Sequence, residues 1–549
     1  MLELECLAYG VGHAEEGVCL LVRMGPHRIL LDCGLRDLSP LITGRDDETK
    51  TSQEPLLPAD LVWCSHAHAD HARGLLALHQ AFPQLPIYAS EVTTQLLPLN
   101  WPGVELSPHA SFCQALPWQT PVEFREGLSA ELWPAGHLPG AAALLLTYTP
   151  PQRPQAPPVR PYTLFYTGDF FLSNSRLVDG LPLEVLRGLK PDVLIVEGTY
   201  GTARHLRRRQ QENQLAERIS HALADHRSVL LPTPTLGLGQ ELLMLLRSHH
   251  HFTGRDVDIW VDGAIADACD AYLDLLPHLP STVQNFAQHQ PLFWDERVRP
   301  RVRRVQNAEQ RQTLGQTPCI VLTDQSLDLS QYSSSNNTNW IVLLTDTEGR
   351  GISRPFASES YLLSEHCDGA GTTQLIHNLR PQHVVFIHAS PLYLADLTNL
   401  DELHNRYHLH TPGVGSLVEL PIGETFIQPA APEGNYEGEL TEWESTVTIR
   451  LPDAIASDPR WQTFADTGLI EARWQGQELV LRGLSQWELL NQERDLNLQD
   501  LAEGRPLRDC CGTCLHYRGQ NCRNPASPLY GFKVTAEGYC PVFESRFAE

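Results

Sequence analysis

The run Ser65-His66-Ala67-His68-Ala69-Asp70-His71 places three imidazoles and one carboxylate within six residues. Neutral imidazole nitrogen and carboxylate oxygen are the donors a zinc ion takes, at about 2.0–2.2 Å. A loop that folds back on itself can bring all four side chains to one point. The bland alternative, a surface loop that happens to be His-rich, gives no reason for this density. Single residues elsewhere could complete such a site. Asp32 follows Leu30-Leu31, His137 lies in Pro134-Ala135-Gly136-His137-Leu138-Pro139-Gly140, and Asp169 lies in Tyr166-Thr167-Gly168-Asp169-Phe170. Glu197 ends the apolar run Val193–Val196, His388 ends Val384–Ile387, and His366 stands in Ser364-Glu365-His366-Cys367-Asp368. Taken singly, each reads as a loop cap or as a buried polar group satisfied by backbone. Taken together, in order around the His66–His71 run, Asp32, His137 and Asp169 read as parts of one shared metal site.

Two further constellations carry chemistry. Cys511, Cys514, Cys522 and Cys540 close the chain, with Cys510 beside the first. Four thiolates can complete a tetrahedral structural zinc site, and an iron–sulfur cluster is the second option. A segment of about 40 residues can hardly build its own core, which favours a metal over free thiols. Arginine clusters at Arg204, Arg207, Arg208 and Arg209, and again from Arg297 to Arg304. Arginine suits phosphate through planar, bidentate donors. The bland reading is a solvated face paired with carboxylates such as Glu212 and Glu296, and it is preferred for the second cluster. The first cluster, close behind Glu197, is the candidate substrate rim.

The elements that must position these groups are short apolar runs ending in Gly, Asp or His: Cys19–Met24, Ile29–Asp32, Leu61–Ser65, Ala141–Tyr148, Leu164–Asp169 and Val193–Glu197. They predict buried strands that deliver polar residues at their ends. Pro150–Pro161 predicts an exposed connector. From Arg207 the periodicity changes. Gln211–Asp225 has helical spacing, Ser228–Pro232 reads as a strand, and Gly239–Ser248 as a helix, which predicts a second α/β unit with a parallel sheet. Gln331–Asn339 predicts a polar loop, Ile341–Thr345 and Val384–His388 predict strands, and Gly369–Leu379 a helix. Beyond about residue 430 a linker precedes a small α/β module, Glu444–Leu490.

At 549 residues the chain is long enough for three or four domains. Its net charge is −25 and only three lysines occur. On charge alone that disfavours nucleic acid as a partner. By region, however, residues 201–250 carry seven arginines against four carboxylates, so the acidity lies mostly elsewhere. No run of 18 apolar residues suggests a membrane span. The acidic start Met1-Leu2-Glu3-Leu4-Glu5-Cys6 lacks the basic opening of a signal peptide, and the 13 cysteines are mostly scattered. A cytoplasmic location is expected.

The set Asp32, His66–His71, His137 and Asp169 resembles the four successive motifs of the metallo-β-lactamase superfamily. The resemblance implies an αββα sandwich, an α/β fold holding two zinc ions. One zinc would take His66, His68 and His137. The other would take Asp70 and His71, with Asp169 bridging both and Asp32 orienting a ligand loop from behind. Ions about 3.5–4 Å apart stabilise both the attacking and the leaving oxygen of a phosphate ester. Glu197, His366 and His388 further resemble the three motifs of the β-CASP nucleases, the branch that contains ribonuclease J and the cleavage and polyadenylation endonuclease. This likeness spans about residues 1–425. It implies that His388 completes the second zinc, that His366 is the general acid, and that Glu197 holds His366 and raises its pKa. Asp70, Glu197 and His366 are thus the implied catalytic residues. Histidine at the position of His388 is the form associated with RNA-directed members.

The implied organisation is a metallo-β-lactamase domain in residues 1–200 and 373–430, interrupted by an inserted β-CASP domain at 201–372. An accessory module at 431–505 and a Cys-rich tail at 506–549 follow. Three departures from the branch touch the substrate side. Leu238 follows Gly237 where Arg is usual, Val321–Leu327 replaces a Ser/Gly-rich turn, and Ala389-Ser390-Pro391 follows His388. The expected function is hydrolysis of RNA phosphodiester bonds, with single-stranded RNA as the expected partner and self-association left open. The rivals are a metallo-hydrolase of thioesters or lactams and a non-catalytic scaffold subunit of RNA processing.

Overall fold

The computed structural model describes residues 4–13, 16–43, 57–104, 112–151, 160–332, 339–345 and 358–423, together with 439–443, 446–450, 470–475, 478–483, 514–518 and 521–524. The chain divides into two units, Met1–Ala431 and Pro432–Glu549.

The first half of the larger unit is strand-rich: β1 (Leu4–Val11), β2 (Val18–Met24), β3 (His27–Leu31), β4 (Leu61–Trp63), β5 (Ile87–Ser90), β6 (Cys113–Leu116), β7 (Val122–Arg125), β8 (Leu128–Pro134), β9 (Ala142–Tyr148), β10 (Tyr162–Tyr166) and β11 (Val193–Glu197). Then come β12 (Ser228–Thr233), β13 (Asp258–Val261), β14 (Arg301–Arg304), β15 (Ile320–Asp324), β16 (Trp340–Leu344) and β17 (Ser358–Ser360). The unit ends with β18 (His383–Ile387), β19 (His408–His410) and β20 (Leu417–Glu419).

Two seven-stranded sheets result, in the orders β20-β1-β2-β3-β4-β5-β6 and β19-β18-β11-β10-β9-β8-β7. They face each other across one shared core. Leu20, Val22, Ile29, Leu31 and Trp63 from the first sheet pack with Leu132, Leu144, Leu146, Tyr166, Ile195, Val385 and Ile387 from the second. The alternate residues on the same strands, Leu30, Val62, Leu194, Val196, Val384 and Phe386, belong to a different core, toward the flanking helices. That is why these strands read as continuous apolar runs rather than alternating ones: both faces are buried. Burying one such side chain is worth about 1.5–3 kcal/mol.

A third sheet of six strands, β14-β13-β15-β12-β16-β17, is built wholly from residues between β11 and β18. All its pairings are parallel. Its first helix runs from Arg208 to Ala224, starting three residues before the expected Gln211 because Arg208 packs inward beside Glu212. The helix Leu238–Ser248 follows β12, and Gly369–Leu379 matches its expected bounds. The proline-rich stretch joins antiparallel neighbours β9 and β10, and its residues 152–159 lie outside the described residues, as do 333–338 of the expected polar loop. No helix among the described residues is long and apolar enough to cross a membrane.

The smaller unit shows strands only among its described residues: the hairpins Glu439–Trp443 with Thr446–Arg450, Ile470–Gln475 with Glu478–Gly483, and Tyr517–Arg518 with Asn521–Cys522. The other residues of the expected α/β module, Glu444–Leu490, lie outside the described residues. Of the four tail cysteines, Cys514 is buried and not disulfide-bonded. Cys511, Cys540 and the side chain of Cys522 lie outside the described residues.

Candidate metal centre

The candidate ligands stand where strands end. β3 delivers Asp32, β4 leads into Ser65-His66, β8 leads into His137, β10 leads into Asp169, β11 ends on Glu197 and β18 delivers His388. The C-terminal ends of sheet strands are the usual place for a site in such layers. Between β10 and Asp169 the chain turns at Gly168, whose φ is +56°, and a Cβ there would meet Ser65 Cβ at 2.6 Å. Asp32 and His388 themselves adopt φ of 59° and 60°. Non-glycine residues there carry strain that the surroundings must hold. Asp32 is held by its amide, which donates to Trp63 O at 2.7 Å, and His388 by its amide to Val11 O at 2.6 Å.

Three imidazole nitrogens converge in a first pocket. His68 Nδ1 lies 3.2 Å from His66 Nε2 and 3.0 Å from His137 Nε2. The other nitrogen of each ring fixes the tautomer. His137 Nδ1 faces the Glu365 carbonyl at 2.9 Å and His68 Nε2 faces the Leu236 carbonyl at 3.4 Å, so both must donate. Ser65 Oγ gives its proton to Asp32 Oδ2 and accepts from His66 Nδ1 at 3.0 Å. Three lone pairs therefore point at one another. Burial pushes the His66 ring below its usual pKa, the neighbouring His71 adding to the effect. Burial and His66 push His68 down to about 3, and burial with His366 pushes His137 well down. None takes a proton to relieve the clash near neutral pH. A divalent cation is the partner this donor set fits.

A second pocket lies beside it. His388 Nε2 is 3.2 Å from Asp70 Oδ2, and His71 Nε2 is 3.3 Å from Asp169 Oδ1. These last two atoms are buried and have no hydrogen-bond partner. His71 Nδ1 donates to Asp32 Oδ2 at 2.7 Å; burial works against a proton on this ring, but Asp169 and Asp32 outweigh it and raise its pKa well above the ordinary value, so a cation at Nε2 would take the place of a proton. Asp169 is common to both pockets, with Oδ2 3.4 Å from His66 Nε2 and 3.7 Å from His388 Nε2. Burial opposes ionisation of Asp169, but His388 and His71 hold its carboxyl well below the ordinary range. The geometry thus brings together His66, His68, His137 and Asp169, and separately Asp70, His71 and His388.

On the outer side Glu197 joins the pieces. Its Oε2 is 2.8 Å from His366 Nδ1, and its Oε1 accepts from the Phe170 amide at 2.6 Å. Burial works against the His366 proton, but the Glu197 carboxylate outweighs it and raises the pKa to about 10. Thr199, which sequence reasoning missed, gives its hydroxyl proton to Glu197 and faces His388 Nδ1 at 3.1 Å. Ser65 and Tyr166 were missed as well; both hydroxyls donate to Asp32 Oδ2. The signal for all three was available, since each is a hydroxyl residue at a strand end beside a named site residue.

The arginines divide differently from the expectation. Arg204, Arg207 and Arg209 are exposed. Arg208 is not at the rim: its guanidinium reaches Glu212 at 3.3 Å, Glu241 at 3.5 Å and the Ser364 carbonyl at 3.2 Å. Its charge is spent on holding three segments together. The second cluster is a ladder of ion pairs, Arg301 with Asp256 and Asp258, Arg303 with Asp258 and Glu296, and Arg304 with Asp267 and Asp270.

Comparisons with known proteins fit this geometry. The family model described as "Beta-lactamase superfamily domain" matches residues 27–204. The uncharacterized protein sll0514 of Synechocystis sp. is 48% identical over 98% of this chain and 96% of its own length. The RNase J-like protein of Methanocaldococcus jannaschii is 25% identical over 66% of this chain and 80% of its length. Endoribonuclease ysh1 of Schizosaccharomyces pombe is 23% identical over 73% of this chain and 56% of its length. This chain belongs to the β-CASP branch of the metallo-β-lactamase superfamily. In that superfamily the two facing sheets are the β layers of the αββα sandwich. The His/Asp cluster at their strand ends is the expected position for divalent metal.

Proposed function

We propose that this β-CASP protein is a zinc-dependent ribonuclease that hydrolyses RNA phosphodiester bonds using two ions. The observation that carries the reading is the shared carboxylate, Asp169, between a three-imidazole pocket and the Asp70–His71–His388 pocket. His66 Nε2, His68 Nδ1 and His137 Nε2 would hold one ion, Asp70, His71 and His388 the other, and Asp169 both. Bound divalent ions supply Lewis acidity to a phosphate ester and make water an available nucleophile near neutral pH.

The chain's own residues do the rest. Asp32 fixes the His71 tautomer and, through Ser65, that of His66. The Leu236 and Glu365 carbonyls fix His68 and His137. His366 carries a proton at neutral pH and is partly open to solvent, so it can protonate the departing oxygen while Glu197 holds its ring. Relatives named as ribonucleases, and His388 at the end of β18, support RNA as the substrate. The third sheet, lying in the chain between β11 and β18, supports an inserted β-CASP domain over residues 201–372. The exposed Arg204, Arg207 and Arg209 follow β11 and supply positive charge for phosphate.

The test uses the purified full chain. Metal content is measured by mass spectrometry, and the protein is incubated with labelled single-stranded RNA, DNA and a chromogenic lactam, beside Asp70→Ala and His388→Ala. About two zinc ions per chain at the active site and RNA cleavage lost in both variants are the expected results. RNA cleavage that persists in both would refute the mechanism. Lactam hydrolysis without RNA cleavage would transfer the site to a small-molecule hydrolase.

A further inference from the structure

The helix Leu238–Ser248 ends on three consecutive histidines, His249-His250-His251. None of them belongs to the pockets described above. They stand on a turn whose backbone is well tied. The His249 amide donates to Leu245 O at 2.9 Å. The His249 carbonyl accepts from the Phe252 amide at 2.9 Å, the Thr253 amide at 3.1 Å and Thr253 Oγ1 at 3.1 Å. Phe252 is fully buried and anchors the turn. On this base the three rings gather. His250 is exposed, and His249 and His251 are partly buried. Ring centroids are 4.3 Å apart for His249 and His250, 4.3 Å for His250 and His251, and 5.0 Å for His249 and His251. One nitrogen of each ring lies within 4.8 Å of one nitrogen of each other ring.

The surroundings suit a cation. The turn follows the last residue of an eleven-residue helix, where the negative end of the helix dipole lies. Burial and then the neighbouring rings hold His249 below the ordinary imidazole range, and burial, His250 and Arg255 do the same for His251. Both rings are therefore neutral donors of a lone pair near pH ~7. Glu217, on the helix Arg208–Ala224, favours positive charge at His251. Arg176 opposes it at His249, but Arg176 is paired with Glu212 at 2.7 Å. The His249 ring has two contacts of its own, Nδ1 with the His251 amide and Nε2 with Asn213 Oδ1, both at 3.3 Å. Each is longer than a well-formed bond of about 2.7–3.2 Å, so a cation can displace either. We infer that His249, His250 and His251 form a further metal site, apart from the catalytic pockets, for one transition ion of the zinc, nickel or copper(II) class. Imidazole suits those ions, whereas magnesium and calcium seek oxygen. A zinc ion holds its nitrogens at about 2.0–2.1 Å, so the exposed His250 ring swings inward to close on it. The inference goes beyond the ribonuclease reading and does not depend on it.

The test counts ions on the full chain, carrying no histidine tag, by native mass spectrometry at buffered free zinc. Wild type is compared with the double variant His250→Ala, His251→Ala, and the comparison is repeated with Asp70→Ala in both chains. In each background the double variant should carry one zinc fewer, and excess magnesium should not replace the missing ion. A second measurement needs no substitution and so is indifferent to how the variant folds. Diethyl pyrocarbonate modifies free imidazole, and the His249–His251 peptide is followed by mass spectrometry. In wild type that modification should slow about tenfold when free zinc is about ten times its dissociation constant, because the ion occupies the same nitrogens. An equal ion count in the double variant overturns the site, as does a modification rate that zinc leaves unchanged. A difference in count that vanishes in the Asp70→Ala background would put the missing ion in the catalytic pockets and overturn the site as well.

Discussion

His366 and Glu365 are adjacent, and each holds a proton that ordinary side chains of their type would not. For His366 the cause is the Glu197 carboxylate at 2.8 Å, which lifts the ring to about 10 against the effect of burial. Replacing Glu197 by Gln removes that charge, so the imidazole should fall back toward its ordinary range near pH ~6.5. A general acid works only while protonated. The alkaline limb of kcat measured from about pH 6 to about pH 10 should therefore move to lower pH by more than one unit in Glu197→Gln. An unmoved limb would take the acid role from His366. For Glu365 the cause is burial, which raises its carboxyl to about 8 despite Arg208 and His366 nearby. The folded state then binds a proton that the unfolded chain releases above about pH 4.3. Stability contributed by this group is complete below the unfolded value and is lost as pH climbs through about 8. Glu365→Gln, which cannot ionise, should melt higher than wild type at alkaline pH and lose that advantage in mild acid, as read by thermal denaturation of the metal-free protein.

Among the elements, the loops after β3 and β4 are locked together by close contact rather than by apolar packing. A Cβ on Gly34 would lie 1.6 Å from the Asp70 carbonyl oxygen, so only glycine lets the Asp32–Gly34 turn reach the helix Ala69–Ala72. Gly34→Ala should cost at least about 1–3 kcal/mol of stability, the range for forced overpacking, and should lower metal content at equal protein because Asp32 and His71 move apart. Retained metal with unchanged denaturation would show that the turn can yield. The strands that carry the site were legible because their two buried faces make unbroken apolar runs: β11 was found with its true bounds, and β10 and β18 to within a few residues. β7, with Val122-Glu123-Phe124-Arg125, alternates over only four residues, and β14, with Arg301-Val302-Arg303-Arg304, has one apolar residue in four, so both give too little signal to separate from loop. The identity of the site residues was legible in local runs. Their partners were not, because Leu236 O for His68 and Glu365 O for His137 are backbone atoms far along the chain, and Arg208 is claimed by Glu241 thirty-three residues later.

For the whole molecule the charge of −25 sets how RNA can be held. The arginines of the second cluster pair with Asp256, Asp258, Asp267 and Asp270, so on the proposed reading the phosphate contacts fall to the exposed Arg204 and Arg209. Affinity should therefore depend weakly on salt. Each phosphate contact adds about 0.7 to the slope of log affinity against log salt for a single strand, so Arg204→Ala and Arg209→Ala should each flatten it by about that much. Arg299→Ala should leave it alone, and equal effects from both clusters, measured as KM across a salt series, would overturn the division. The order in which the site is assembled has a consequence during synthesis. The pockets draw on Asp32, His66, His137, Asp169 and finally His388. A ribosome adding about 5–20 residues per second needs tens of seconds to travel from the first histidine to the last. Until then the chain holds His66, His68, His137 and Asp169 but lacks His388, so on the ribonuclease reading the message being translated is spared until the strand that carries His388 has been made.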